Sequence, residues 1–183
     1  AEKYAKNGKV PILFNFKAFS RYLLNNETKL INDAHYIHYY PGRIFPYIPL
    51  YLLAINDFKK LDGIVLDPFA GSGTILLEAI TNPIIKRIAY GVEINPIGRL
   101  ISKVKTTPLN VEKIERYFSA ISSSYKNNTR GIEEEIPHFK NRDLWFSESA
   151  IKRLAKLKFA IKTLKADSDY KDFFWLCFSS IIR

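Results

Sequence analysis

Read for hydrophobic period alone, the chain separates into strand-like and helix-like stretches. Residues 10–19, VPILFNFKAF, place Ile12, Phe14 and Phe16 on one face at a period of two, with Leu13 breaking the alternation, and predict a strand or extended segment. HYIHYYPGRIFPYIPLYLLAINDF starts as loop, punctuated by three prolines, and ends as helix. Pro49 suits a first helical turn, and Ile48, Leu52 and Ile55 then share a face. GIVLDPF is a short continuous apolar run, the kind buried on both sides in a parallel sheet. TILLEAITN predicts a helix, RIAYGVEI a second strand, and NPIGRLISKVKT a second helix opening at Pro96. Strand, helix and strand within about 30 residues make a βαβ unit, whose strands run parallel, and a doubly wound α/β sheet is its natural host.

Beyond TTPL the pattern turns helical. Val111, Ile114, Tyr117, Phe118 and Ile121 recur at helical spacing, KNNTRGIEEE reads as a polar loop, and residues 148–165 form an amphipathic helix. Its apolar stripe is Ile151, Leu154, Leu157, Ile161 and Leu164, with Lys152, Arg153, Lys156 and Lys162 on the other side. DYKDFFWLCFSSIIR reads as one more buried helix, with no further clear strand.

Composition sharpens this picture. A chain of 183 residues with 47% hydrophobic and 14% aromatic content is a globular one with room for a real core. The formal net charge of +10 favours a polyanionic partner over a purely solvated lysine surface. The single cysteine, Cys177, excludes an internal disulfide and points to a reducing cytoplasm; its apolar neighbours make it a buried, inert thiol. The longest apolar run, IPLYLLAI, is too short to cross a bilayer, and no secretory signal opens the chain. The absence of methionine and the stop within FFWLCFSSIIR point to a processed, trimmed or incomplete chain.

The densest chemistry lies in VLDPFAGSGTILLEAI, residues 65–80. A strand ends in Asp67, Gly71 and Gly73 follow two apart, and a helix begins. Glycines let the backbone bend sharply and approach a ligand, and the helix turns free amides and positive dipole toward it. A phosphate loop needs a lysine that GSGTIL lacks, and a dinucleotide fingerprint needs a third glycine where Leu76 stands. Asp67 at the strand end repels a pyrophosphate and attracts an ammonium. Glu93 closes the next strand, where a carboxylate accepts ribose hydroxyls. Two acids flanking a Gly-x-Gly bend point to S-adenosyl-L-methionine, which carries an ammonium and a sulfonium. A tight turn with a capped helix does not explain why acids close both strands.

These residues also carry a resemblance. DPFAGSGTILLEA resembles the first motif of S-adenosylmethionine-dependent amino-methyltransferases, and HYIHYYPGRIFPYIP resembles the segment preceding it in many DNA adenine- or cytosine-amino methyltransferases, with Tyr40, Pro41, Arg43, Phe45 and Pro46 matching. YGVEINPIGRLISKVKTTPL and NRDLWFSESAIKRL resemble later stretches of one restriction-modification subgroup. The resemblance runs from about residue 31 onward, and the order of its segments is more specific than any one of them. It implies a Rossmann-like methyltransferase fold, partial and with its first strands only, carrying a helical insertion. The implied organisation is an N-terminal segment with a cofactor lid over residues 1–60, a βαβ cofactor unit over 61–110, and a helical region over 111–183 leading to catalytic strands. Asp67, Pro68, Phe69, Ala70, Gly71, Ser72, Gly73 and Thr74 would hold the methionine part of the cofactor. Glu93 would take the ribose with Ile94 against the adenine, and Tyr40, Pro41 and their neighbours would cover the amino-acid end.

The implied reaction moves a methyl group to the exocyclic amine of a flipped adenine or cytosine in duplex DNA. The family receives that amine on an (Asp/Asn/Ser)-Pro-Pro-aromatic motif, and no two prolines are adjacent in this chain. No catalytic residue is therefore assigned here, and a second chain, a missing C-terminal half or a self-associated copy is expected to complete the sheet. Residues 124–135 and 148–165 are the expected DNA-facing parts. An RNA guanine amino-methyltransferase, sharing the DPFAGSGTILLEA loop, and a non-catalytic S-adenosylmethionine-binding module are the alternatives. His35 and His38 lack the further ligands a zinc site needs, so hydrogen bonding or lid packing is expected of them. Trp145 reads as a core or interdomain anchor rather than a base-stacking platform.

Overall fold

The structure, a computed structural model, describes residues 32–54, 63–81, 87–127 and 131–182. The expected strand over residues 10–19, Ile55 of the first helical stripe and residues 128–130 of the polar loop lie outside them. The chain divides between Thr106 and Thr107 into two compact units.

The first unit starts with a 3₁₀ turn, Asp33–Tyr36, capped by the Asn32 side chain, which accepts from the Ala34 amide. Helix α1 (Tyr47–Ala54) follows, with Pro49 in its first turn, where a missing N–H costs no hydrogen bond. Its buried side is formed by Tyr47, Pro49 and Leu50. This corrects the expected stripe, because Ile48 is half-buried and Leu52 is exposed.

Strands β1 (Ile64–Asp67) and β2 (Ile88–Gly91) pair in parallel, with Leu66 opposite Tyr90 and Asp67 opposite Gly91. Helix α2 (Thr74–Thr81) forms the crossover and packs on both strands, and α1 packs on α2. Helix α3 (Pro96–Thr106) follows β2, with Pro96 opening it and the Asn95 side chain accepting from the Ile97 amide. The unit is thus mixed α/β around a small parallel sheet.

The expectation that the first strand is buried on both faces is corrected. One face meets α2 so closely that a Cβ on Gly91 would stand 2.6 Å from Leu76 and 2.8 Å from Ala70. The other carries Ile64, Leu66, Ile88 and Tyr90, all 57–65% exposed. Among the described residues the sheet has two strands, and nothing covers that second face.

The second unit is helical. Helix α4 (Val111–Asn127) is capped by Asn110, whose side chain accepts from the Lys113 amide. A 3₁₀ turn, Glu133–Glu135, and short helix α5 (Arg142–Trp145) lead to α6 (Glu148–Lys162) and α7 (Ser168–Ile181). Ser147 caps α6 by accepting from the Ala150 amide. The core is Ile121, Ala160, Ile161, Leu164 and Phe174, flanked by Ile114, Tyr117, Leu157 and Trp175.

The α6 stripe lies as its period predicts, although the helix stops at Lys162 rather than 165. On α4, Ile114, Tyr117 and Ile121 of the expected stripe face inward, joined by Tyr125, whereas Val111 and Phe118 are exposed. Lys126 and Asn127, read as loop, extend α4. Cys177 is exposed, not buried; α7 turns Tyr170, Phe174 and Leu176 inward instead. Trp145 is 77% exposed and is not a core anchor.

Candidate functional site

The bend between β1 and α2 is built from the residues that dictate it. Gly71 has φ +52° and Gly73 φ +70°, a region that costs a side-chain-bearing residue strain. Beyond the strand ends the ladder continues: the Val92 amide donates to the Asp67 carbonyl, and the Ala70 amide donates to the Val92 carbonyl, both at 2.9 Å. The Gly73 amide then closes a turn onto the Ala70 carbonyl at 2.7 Å. Helix α3 locks the bend from behind, because the Ser102 hydroxyl donates to the Gly71 carbonyl at 2.9 Å. A Cβ on Gly73 would stand 2.9 Å from the Cβ of Ser102, so the glycine is needed for packing as well as for its dihedral.

The two acids sit at adjacent strand ends in different settings. Asp67 is buried and receives the Phe69 amide on Oδ1 at 3.1 Å. Glu93 is half-buried two residues past β2; its Oε1 accepts the Asn95 amide at 2.7 Å, and its Oε2 lies on the Gly71 side. Phe69 and Ile94, at 90% and 94% exposure, are apolar side chains held open at the same end of the sheet. Pro68 is exposed and Ala70 is buried. Ser72 and Thr74 are buried, and neither hydroxyl has a hydrogen-bond partner among the described residues.

Tyr40 is half-buried beside this bend, and Pro41 is exposed in the turn that follows it. A Cβ on Gly71 would lie 3.5 Å from the Tyr40 ring. A Cβ on Gly98 would lie 2.9 Å from Cγ of Glu93, 3.0 Å from the Gly71 carbonyl and 3.0 Å from the Tyr40 hydroxyl. Gly98 therefore lets Tyr40, Gly71 and Glu93 converge. In the sequence a lone glycine in a helical pattern carries no signal of what faces it, so spacing does not point to Gly98; Ser102 escapes notice for the same reason.

Behind the bend lies a buried polar group. His35 is fully buried, with Nε2 2.6 Å from Oε1 of Glu78 on α2. Lys105 on α3 is also buried, its Nζ has no hydrogen-bond partner among the described residues, and its pKa is pulled down to about 8. Burial is the main cause, Arg43 adds to it, and Glu78 opposes it. The His38 Nδ1 pairs with the Tyr39 carbonyl at 2.6 Å. Among the described residues no three His, Cys, Asp or Glu side chains gather as a metal set would.

The second unit supplies a cavity of about 880 Å³ lined by residues that include Ile132, Ile136, Arg142, Phe146 and Ile151, with none from the glycine bend. The basic side of α6 is largely engaged internally. Lys152 pairs with Glu148 at 2.6 Å, Lys162 with Glu135 at 2.5 Å, and Lys156 lies over the Tyr125 ring. Among the described residues no helix is long and apolar enough to cross a membrane.

With this geometry in place, relatives are informative. The chain is 33% identical over 171 residues to the type II methyltransferase M.MvaI of Kocuria varians, covering 87% of this chain and 36% of that protein. The chain is homologous to type II methyltransferases. It is also 28% identical over 112 residues to the type II methyltransferase M.MjaII of Methanocaldococcus jannaschii, covering 61% of this chain and 20% of that one. The restriction-modification methyltransferase resemblance read from the motifs is the one these relatives bear out. The chain thus spans about a third or less of the length of these type II methyltransferases. No protein-family model and no solved structure matches it.

Proposed function

We propose that this chain is the cofactor-binding part of a DNA methyltransferase that uses S-adenosyl-L-methionine to methylate the exocyclic amine of adenine or cytosine, on a Rossmann-like methyltransferase sheet. One observation carries the reading. In a homologue of type II methyltransferases, Asp67 ends one of two paired parallel strands and Glu93 lies two residues past the other, flanking a bend that requires Gly71 and Gly73.

The donor set fits the cofactor. A buried carboxylate at the mouth of a helix offsets the helix's attraction for phosphate and favours a ligand that brings its own positive charge. Asp67, with the bend from Pro68 to Thr74, would hold the aminobutyryl part. The unpartnered Ser72 and Thr74 hydroxyls offer polar contacts of the kind buried groups ordinarily satisfy. Glu93 would take the ribose, and the exposed Ile94 would lie along the adenine. Tyr40 and Pro41 would cover the amino-acid end. Tyr40 and Glu93 converge on Gly98, each within 3.0 Å of where its Cβ would stand, which supports one ligand touching both. When bound, the cofactor supplies a methyl group on a sulfonium, and this chain's residues would bind it, orient it and keep water from it.

The motif that receives the amine is not among these residues. We assign it to sequence equivalent to the unmatched part of the longer relatives or to a partner polypeptide. That same part would cover the bare face of the sheet. Duplex DNA with the target base flipped is the proposed substrate, and the net charge of +10 supports salt-dependent contact with its phosphates.

Calorimetric titration of the chain with S-adenosylhomocysteine, the reaction's stable by-product, tests the reading. Binding is expected, with Asp67→Ala and Glu93→Ala each weakening it at least tenfold, that is by about 1.4 kcal/mol. Tight binding of a dinucleotide instead, or affinity indifferent to both substitutions, overturns the assignment.

A further inference from the structure

Among the described residues, two contacts flank Tyr40 and tie its segment down, one of them inside the buried polar group behind the bend. The first is His35, whose imidazole meets the Glu78 carboxylate inside the unit, where both side chains are no more than 4% exposed. The second is Arg43, whose guanidinium donates to the His35 carbonyl and lies 5.5 Å over the Tyr36 ring. Glu78 is one helical turn beyond Thr74, on the helix that starts at the glycine bend. The 3₁₀ turn and the bend are thus referred to the same helix.

Stability alone does not explain this arrangement. A buried polar pair of this kind is often matched or bettered by apolar side chains of similar volume. A buried hydrogen bond to a carboxylate does fix direction and distance, which apolar packing fixes less well. Between the anchors the chain is mostly exposed at Tyr39, Pro41 and Gly42, while Tyr40 turns in against Gly71 and Gly98. The position of Tyr40 therefore follows from where His35 and Arg43 are held.

We propose that His35 and Glu78 are positioning residues that hold Tyr40 closed over the Gly71 bend before ligand arrives, and so set affinity for the S-adenosyl ligand from behind the site. This rests on the cofactor reading above. A ligand that needs the closed segment binds in proportion to the closed population. If losing the anchor leaves about a tenth of molecules closed, apparent affinity falls about tenfold.

The test is a double-mutant cycle on S-adenosylhomocysteine binding to the full chain, using His35→Ala, Tyr40→Ala and the pair. Each single change is expected to weaken binding about tenfold, and the pair no more than the worse single, because both remove one closed segment. His35→Gln, which keeps a side-chain N–H donor toward Glu78, is expected to recover most of the loss. Multiplying losses in the pair, or no loss in His35→Ala while Tyr40→Ala weakens binding, overturns the proposal. A side chain with a merely structural role gives such independent losses. Should His35→Ala be unfolded at the assay temperature, Glu78→Leu, which removes the acceptor at similar bulk, takes its place in the cycle: a shared loss with Tyr40→Ala supports the proposal, and multiplying losses or no loss overturn it. Absence of binding by the unaltered chain rejects the cofactor reading itself, whereas binding that ignores His35 and Glu78 rejects only the present inference.

Discussion

At the scale of single residues, Lys105 carries a cost that pH can read out. Its ammonium is buried without a hydrogen bond among the described residues, and its pKa of about 8 lies below the unfolded value near 10.4. The unfolded chain therefore holds this proton more tightly, so the group's contribution to stability rises with pH between about 8 and 10.4. Below pH 8 the ammonium is charged in both states and the full penalty of burying it applies. Lys105→Met is accordingly expected to stabilise the chain at pH 7 by about 2–3 kcal/mol, with the gain shrinking above pH 8. Chemical denaturation at pH 7 and pH 10 reads both. Equal stability of the two proteins at pH 7 would mean that the lysine is solvated after all.

At the scale of elements, the 3₁₀ turn Glu133–Glu135 is fixed to α6 through one carboxylate. Glu135 is buried; its oxygens meet Lys162 at 2.5 Å and Lys158 at 3.1 Å, and the Lys158 ammonium also donates to the Glu135 carbonyl. Hydrogen bonds from Lys162 and then Lys158 hold its pKa below the ordinary carboxylate value. A depressed folded-state pKa contributes stability that is complete above the unfolded value, near 4.3, and is lost as pH falls through the folded one. Glu135→Gln is expected to lower the melting temperature at pH 7, and the difference from the parent protein should close as the solution is acidified below pH 4. Thermal melts by circular dichroism across that range measure it; a gap that persists unchanged in acid would assign the loss to packing. The same contact explains why α6 is a weaker candidate for phosphate binding than its lysine count suggests. Lys152, Lys156 and Lys162 already have partners within the unit.

At the scale of the whole molecule, the feature without a counterpart among the described residues is the open face of the sheet. Ile64, Leu66, Ile88 and Tyr90 form a contiguous apolar patch, since residues two apart point the same way and the register sets Ile64 by Ile88 and Leu66 by Tyr90. Exposed patches of this kind mark surfaces that are covered by something else or that drive association. The chain in isolation is expected to bind a hydrophobic dye such as anilinonaphthalene sulfonate, and Leu66→Thr with Ile88→Thr to abolish most of that fluorescence while leaving the circular dichroism intact. Unchanged dye binding in the double variant would put the exposed apolar surface elsewhere.

Much of the first unit was legible from local chemistry. The parallel βαβ unit follows from an apolar run, a glycine bend, a helical period and a second apolar run, and each of these is decided by neighbours within a few residues. Gly71 and Gly73 announce left-handed backbone, and Pro96 announces a helix start, for reasons internal to the residues themselves. Burial was less legible, because a side chain's exposure depends on what lies across from it. Ile64 and Leu66 read as a buried strand, yet they are bare because no described segment lies over them. Val111 and Phe118 fit a helical period that the core does not use. The convergence of Tyr40, Gly71, Glu93 and Gly98, and the pairing of His35 with Glu78 across 43 residues of sequence, could not be read from spacing at all. The sequence alone determined where the backbone bends and where acidic side chains follow the strands. Which of them meet, and what fixes the segment above them, was decided only by tertiary packing, because contacts between distant residues are set by the sheet and helices that carry them.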